Sequence, residues 1–148
     1  MRLLVTGAAV VVAALATPAS ADETRIELRG GVVWCCGVSD ETIGVALGHD
    51  FDLGSAMFIG VEAVADTNFD FVDPTLGVNA RVGAKLGDNG KLFGVVGYAR
   101  ETTFDLDDVV LGAGYQANFG SKGLVSVQYQ RYLDTDINRA AVGIGYRF

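Results

Sequence analysis

From residue 75 to residue 87, apolar and polar or small side chains alternate without a break. Leu76, Val78, Ala80, Val82, Ala84 and Leu86 take the even positions, and Gly77, Asn79, Arg81, Gly83 and Lys85 the odd ones. A period of two puts one set on each face of an extended strand, whereas a helix repeats every 3.6 residues. The pattern returns at 109–119, where Val109, Leu111, Ala113, Tyr115, Ala117 and Phe119 oppose Gly112, Gly114, Gln116 and Asn118, with Val110 out of phase. It returns again at 138–148, with Ala140, Val142, Ile144, Tyr146 and Phe148 against Arg139, Ala141, Gly143, Gly145 and Arg147. Carried along the chain, this reading predicts eight strands, near 24–34, 42–53, 56–66, 75–87, 91–100, 109–119, 123–133 and 138–148. The phase of 91–100 is ambiguous, because Phe93 and Val95 compete with Val96 and Tyr98 for one face. In 123–133 the alternation slips near Arg131, where a bulge would restore it.

The links between strands fall into two kinds. Asp52-Leu53-Gly54-Ser55, Gly87-Asp88-Asn89-Gly90 and Gly120-Ser121-Lys122-Gly123 read as tight turns. They alternate with longer links at 35–41, 67–74, 101–108 and 134–137. Three short turns and four longer links describe eight up-and-down strands with both chain ends on the short-turn side. Ahead of them, 1–21 reads as a cleaved secretory signal. Arg2 supplies the charge, 3–16 are mostly apolar, and Ala19-Ser20-Ala21 has the small-x-small form of a cleavage site. That apolar run is shorter than the roughly 20 residues of a spanning helix, so 22–148 is taken as one mature domain.

Composition and charge narrow the class. The chain has 18 acids and 11 Lys plus Arg, and a net charge of −7. Removing 1–21 takes away Arg2 and no acid, which leaves −8. Phosphate backbones demand basic surface, so nucleic acid is not an expected partner. Gly is abundant at 20 and Pro scarce at 2, while half of the residues are hydrophobic. No mature segment is a continuous apolar helix span, so a membrane location requires a closed barrel.

The two faces decide between lipid and water. One carries Ile26, Leu28, Val32, Trp34, Ile43, Val45, Leu47, Met57, Ile59 and Val61. The other carries Glu27, Arg29, Glu62, Asp66, Arg81, Lys85, Arg139 and Arg147 among glycines. A soluble barrel would hide the first set and expose the second. An all-β, eight-stranded antiparallel transmembrane barrel reverses this, and the mixed-sign charges form a paired network in its lumen. Trp34, Phe51, Phe119, Tyr129 and Phe148 lie at strand tips and suit interfacial girdles, and His49 shares their outward parity.

Three segments carry a resemblance: Arg25-Ile26-Glu27-Leu28-Arg29-Gly30-Gly31, Leu92-Phe93-Gly94-Val95-Val96-Gly97-Tyr98-Ala99-Arg100 and Val142-Gly143-Ile144-Gly145-Tyr146-Arg147-Phe148. With them the mature chain resembles the outer-membrane β-barrel family of opacity-type surface proteins and small OmpA/OmpX-type barrels. The resemblance implies an outer-membrane location in a Gram-negative bacterium with both mature termini periplasmic. It also implies that Tyr146 and Phe148 form a terminal signature for the barrel assembly machinery. The resemblance is to the barrel alone, so the peptidoglycan-binding module of full-length OmpA-type proteins is not expected.

Candidate chemistry changes this little. His49 is the single candidate base, but Asp50 and Asp52 have the opposite parity and no serine lies beside it. The reading is therefore non-enzymatic and without a cofactor. Cys35 and Cys36 leave three alternatives: a strained vicinal disulfide, free thiols or a bond to another chain. Eleven of the eighteen acids lie in or beside the four longer links, densest at Asp105, Asp107 and Asp108. Those three are the candidates for a divalent cation shared with lipopolysaccharide phosphates. The expected partners are outer-membrane lipid and lipopolysaccharide, and the expected state is a monomer. Function divides between an envelope-structure and cell-surface protein with a plugged lumen and a narrow pore or small-ligand barrel.

Overall fold

The computed structural model describes residues 22–69 and 74–148. The predicted signal 1–21 and part of the second long link, including Asp70 and Asp73, lie outside the described residues. Eight strands follow one another: β1 (Glu23–Cys35), β2 (Val38–Leu53), β3 (Met57–Asn68), β4 (Thr75–Leu86), β5 (Gly90–Glu101), β6 (Leu106–Phe119), β7 (Gly123–Tyr132) and β8 (Asn138–Arg147). Each pairs antiparallel with its neighbours, and β8 pairs with β1 to close a barrel. Closure removes the sheet edges that lipid could not satisfy.

The register shows how the strands lean. Stepping across the pairs from Glu23 passes Asp50, Gly60, Arg81, Val95, Gly112, Gln130 and Arg139. The circuit returns to β1 at Val33, ten residues beyond its start. Strands so staggered are tilted to the axis, and eight of them leave a bore that side chains fill.

Alternation is apolar outward. Leu28, Val45, Ile59, Val78, Val82, Leu92, Val96, Leu111, Val127, Val142 and Ile144 all stand exposed on the outer wall. Arg25, Glu27, Arg29, Asp50, Glu62, Arg81 and Arg139 are buried inside. The outer wall has girdle aromatics at both ends. Trp34 and Tyr129 lie 6.2 Å apart at the end far from the termini, and Tyr146 and Phe148 lie 5.2 Å apart at the terminal end.

Three local expectations are corrected. The first long link is a two-residue hairpin: Cys35 pairs with Val38, and Cys36 (φ 56°) and Gly37 (φ 84°) make the corner. Two positive φ values are what a type I′ turn requires, and glycine supplies one without strain. The strands therefore run on to the hairpin tip. The third link shortens as well, because β6 starts at Leu106. β7 has no bulge, since its pairs with β6 and β8 run unbroken from Gly123 to Arg131. Arg131 keeps phase by facing outward at the far rim, where its Nη2 donates to Asp136 at 2.6 Å. In β5, Val96 and Tyr98 face out, while Phe93 and Val95 are buried inside with Phe58.

Candidate functional site

Three carboxylates converge on one guanidinium in the lumen. Arg25 donates from Nε to Glu27 Oε1 (2.8 Å), from Nη1 to Asp50 Oδ1 (2.9 Å) and from Nη2 to Glu62 Oε2 (2.6 Å). Glu62 also accepts from Arg29 Nη2 (2.6 Å) and from Asn79 Nδ2 (3.1 Å). Ser126 Oγ donates to Glu27 Oε2 at 2.6 Å. Lys91 Nζ lies 3.0 Å from both Asp50 Oδ2 and Glu23 Oε1. Glu23 in turn accepts from Gln116 and Arg147. The chain of contacts thus runs from mid-lumen to the terminal mouth. Buried ions at this density are tolerated only when paired and hydrogen-bonded, and both signs are supplied here.

Aromatic rings lie against this network. The Arg81 guanidinium lies 3.8 Å from the Phe93 ring centroid and 5.7 Å from that of Phe58. Lys91 Nζ lies 5.0 Å from the Phe58 centroid. Cations held over ring faces are stabilised by the ring quadrupole, more strongly where water is absent. Small residues make room for these groups. A Cβ at Gly48 would lie 2.5 Å from Arg25 Nη2. The space left by this lumen glycine is taken by the guanidinium.

The eight lumen charges expected from sequence divide into three places. Glu27, Arg29, Glu62 and Arg81 belong to the central network. Asp66 and Arg139 form a separate pair toward the far end, with Nη2 donating to Oδ1 at 2.6 Å. Lys85 and Arg147 stand at the terminal mouth, Lys85 against Asp52 and Arg147 against Glu23. Sequence reasoning missed Arg25, the hub, together with Asp50, Lys91, Glu23 and Gln116. The signal was available, because Arg25 is two residues before Glu27 and Asp50 two after Gly48, on the inward parity.

The three candidate cation ligands do not converge. Asp105 turns with φ 58° and bonds Arg100. Asp107 faces outward, 3.7 Å from Arg100 Nε. Asp108 faces inward and accepts from Asp134 N (2.9 Å), Thr135 N (3.0 Å) and Thr135 Oγ1 (2.6 Å). Alternation along β6 parts Asp107 from Asp108, so closeness in sequence does not become closeness in space. Among the described residues, no three His, Cys, Asp or Glu side chains converge as ion ligands.

Cys35 and Cys36 are free cysteines at the hairpin tip, their Sγ atoms 2.7 Å apart. His49 has the expected outward parity but not the expected exposure. It is buried, its ring 4.5 Å from that of Phe51 and its Nδ1 2.8 Å from Thr24 Oγ1. Its Nε2 lies 3.9 Å from Asp22 Oδ2, too far for a hydrogen bond.

Neither a protein-family model nor a curated protein sequence matches the chain. Solved structures do match it. The attachment invasion locus protein Ail of Yersinia pestis superposes with a TM-score of 0.59 at 17% identity, covering 86% of this chain and 98% of Ail. Neisserial surface protein A superposes with a TM-score of 0.61 at 10% identity, over 88% of this chain and 98% of its own. The N-terminal barrel domain of Pseudomonas aeruginosa OprF superposes with a TM-score of 0.60 at 17% identity, over 85% and 97%. The fold is that of small eight-stranded transmembrane barrels of the OmpA/OmpX type.

Proposed function

We propose that this chain is a non-enzymatic integral protein of a Gram-negative outer membrane, with its lumen closed by the Arg25-centred network. In this reading it contributes to envelope structure and to contacts at the cell surface. The observation that carries it is Arg25 itself, fully buried and bonded to Glu27 on its own strand, Asp50 on β2 and Glu62 on β3, in a network that Lys91 of β5 joins to Glu23 on the opposite wall. An aqueous channel at that level would have to break several charge-assisted hydrogen bonds at once. The short turns and both termini share one end, which faces the periplasm under the rule that periplasmic turns are the short ones. The far rim then meets lipopolysaccharide. Arg100 and Arg131 face outward there among Asp105, Asp107 and Asp136, a mixed-sign collar suited to phosphate and its counterions. Tyr146 and Phe148 remain the proposed assembly signal, and the barrel works as a monomer.

Planar-bilayer recording on the refolded full chain tests the plug. Sustained single-channel current under native conditions would defeat it, while a silent, heat-modifiable barrel extracted only with detergent supports it.

A further inference from the structure

Above the Asp66–Arg139 pair, the far end of the lumen opens into a blind cavity of about 190 Å³. Its walls include Val33, Ala99, Phe104, Leu106 and Tyr132, drawn from β1, β5, β6, β7 and the third link. Among the described residues its lining holds three carboxylates, Asp66, Glu101 and Asp108, against the single guanidinium of Arg139. Two of those carboxylates are committed to the protein: Glu101 accepts from the Thr103 and Phe104 amides, and Asp108 from the fourth link. Asp66 is different. Its Oδ1 takes Arg139, and its Oδ2 accepts no hydrogen bond among the described residues. Arg139 Nε and Thr42 Oγ1, in the same lining, also lack partners among the described residues, but both atoms are sealed from the cavity and offer a ligand nothing. The floor therefore presents one carboxylate oxygen that the described residues do not saturate, beneath apolar walls and an excess of negative charge.

We propose that this cavity is a binding site for a small amphipathic ammonium ion, with its charged nitrogen on Asp66 and its apolar body between Ala99, Leu106 and Tyr132. Size and sign both select this class. A cavity of about 150 Å³ accommodates benzene, so 190 Å³ takes one ring with a short aminoalkyl arm. An uncommitted carboxylate oxygen in a low-dielectric cup attracts a cation and repels an acid of the same shape. Tyr132 and Phe104 add ring faces on which an ammonium group is favoured. The ligand binds from the far side and does not pass, because the central network closes the bore beneath it. That clause rests on the plugged reading; the site itself does not.

The test uses the full chain in bilayer nanodiscs, with 2-phenylethylamine as probe and phenylacetate as its anionic counterpart. Ligand-observed magnetic resonance is expected to show saturable binding of the amine above that of empty discs, and at least tenfold weaker binding of the acid. Asp66→Asn is expected to weaken the amine at least tenfold. Because it also leaves Arg139 without its partner, Ala99→Leu serves as a second variant. It fills the cavity and leaves the ion pair in place, and amine binding should be lost while the heat-modifiable band persists. Equal binding of acid and amine, amine signal no greater than in empty discs, or undiminished binding to Ala99→Leu would each overturn the site. A conducting barrel that still binds the amine would remove the plug and keep the site.

Discussion

Arg25 Nη2 and Glu62 Oε2 meet at 2.6 Å in the middle of the lumen, from strands that are not neighbours in the sheet. The contact passes inside β2 from β1 to β3, and both groups are buried. Glu62→Gln keeps the shape and removes one charge from a set containing Arg25, Arg29 and Arg81. Breaking a buried pair from one side costs about 3–5 kcal/mol, because the remaining ions lose their compensation. Lys85→Met, at the partly exposed terminal mouth beside Asp52, is expected to cost under about 1 kcal/mol. Urea midpoints for loss of the heat-modifiable band measure both. Equal, small losses would show that the network is not a unit.

Gly48 supplies an independent probe of the same hub. Its missing side chain is the space in which the Arg25 guanidinium lies. Gly48→Ala forces that guanidinium away from Asp50 or Glu62 and is expected to cost about 1–3 kcal/mol, as overpacking does. Gly30 stands one strand away on the outer face, with nothing within 4 Å of a built Cβ. Gly30→Ala is expected to be neutral or mildly stabilising, since a strand glycine packs nothing and loses more backbone entropy. The sign of the difference between the two alanines reports which face is the lumen.

These contrasts show what was legible in the sequence. Alternation in 75–87 and 138–148 read cleanly, because lipid imposes one chemistry on every outward residue. Glu27, Arg29, Glu62 and Arg81 followed from parity alone. Arg25 and Asp50 share that parity but were passed over, because each lies near a strand end where a charge reads as solvated. Phe93 was ambiguous for the opposite reason. An aromatic ring on an inward position looks like an error in phase until Arg81 is seen over its face. The β1–β2 hairpin was hidden because cysteine is not a turn residue by propensity, although Gly37 beside it is. The Asp105–Asp108 cluster failed as a site because neighbours along a strand point to opposite sides.

The hairpin makes its own prediction. Cys36 holds φ 56° at the first corner of a turn for which Asn-Gly is the preferred pair. Cys36→Asn keeps Gly37 at the second corner and is expected to leave the midpoint unchanged or raise it by a few tenths of a kcal/mol, because asparagine tolerates the left-handed region. Cys36→Val, β-branched and intolerant of positive φ, is expected to lower it by about 1–2 kcal/mol. If the link were a long flexible loop, both variants would behave alike.

The aromatic side of the lumen network is tested by coupling and not by loss alone. Phe93→Leu keeps an apolar group in the lumen but removes the ring face 3.8 Å from Arg81. Arg81→Met removes the cation and leaves an apolar chain of similar length. Each single change alters packing, and Arg81→Met also takes a charge from beside Glu62 and Asp50. The double-mutant cycle subtracts those terms and isolates the pair. A desolvated cation over a ring is worth about 2 kcal/mol, so the two changes together should cost less than their sum by about 1–2 kcal/mol. Additivity within about 0.5 kcal/mol would mean that Phe93 only fills space, and that the ionic contacts alone hold Arg81 in the bore.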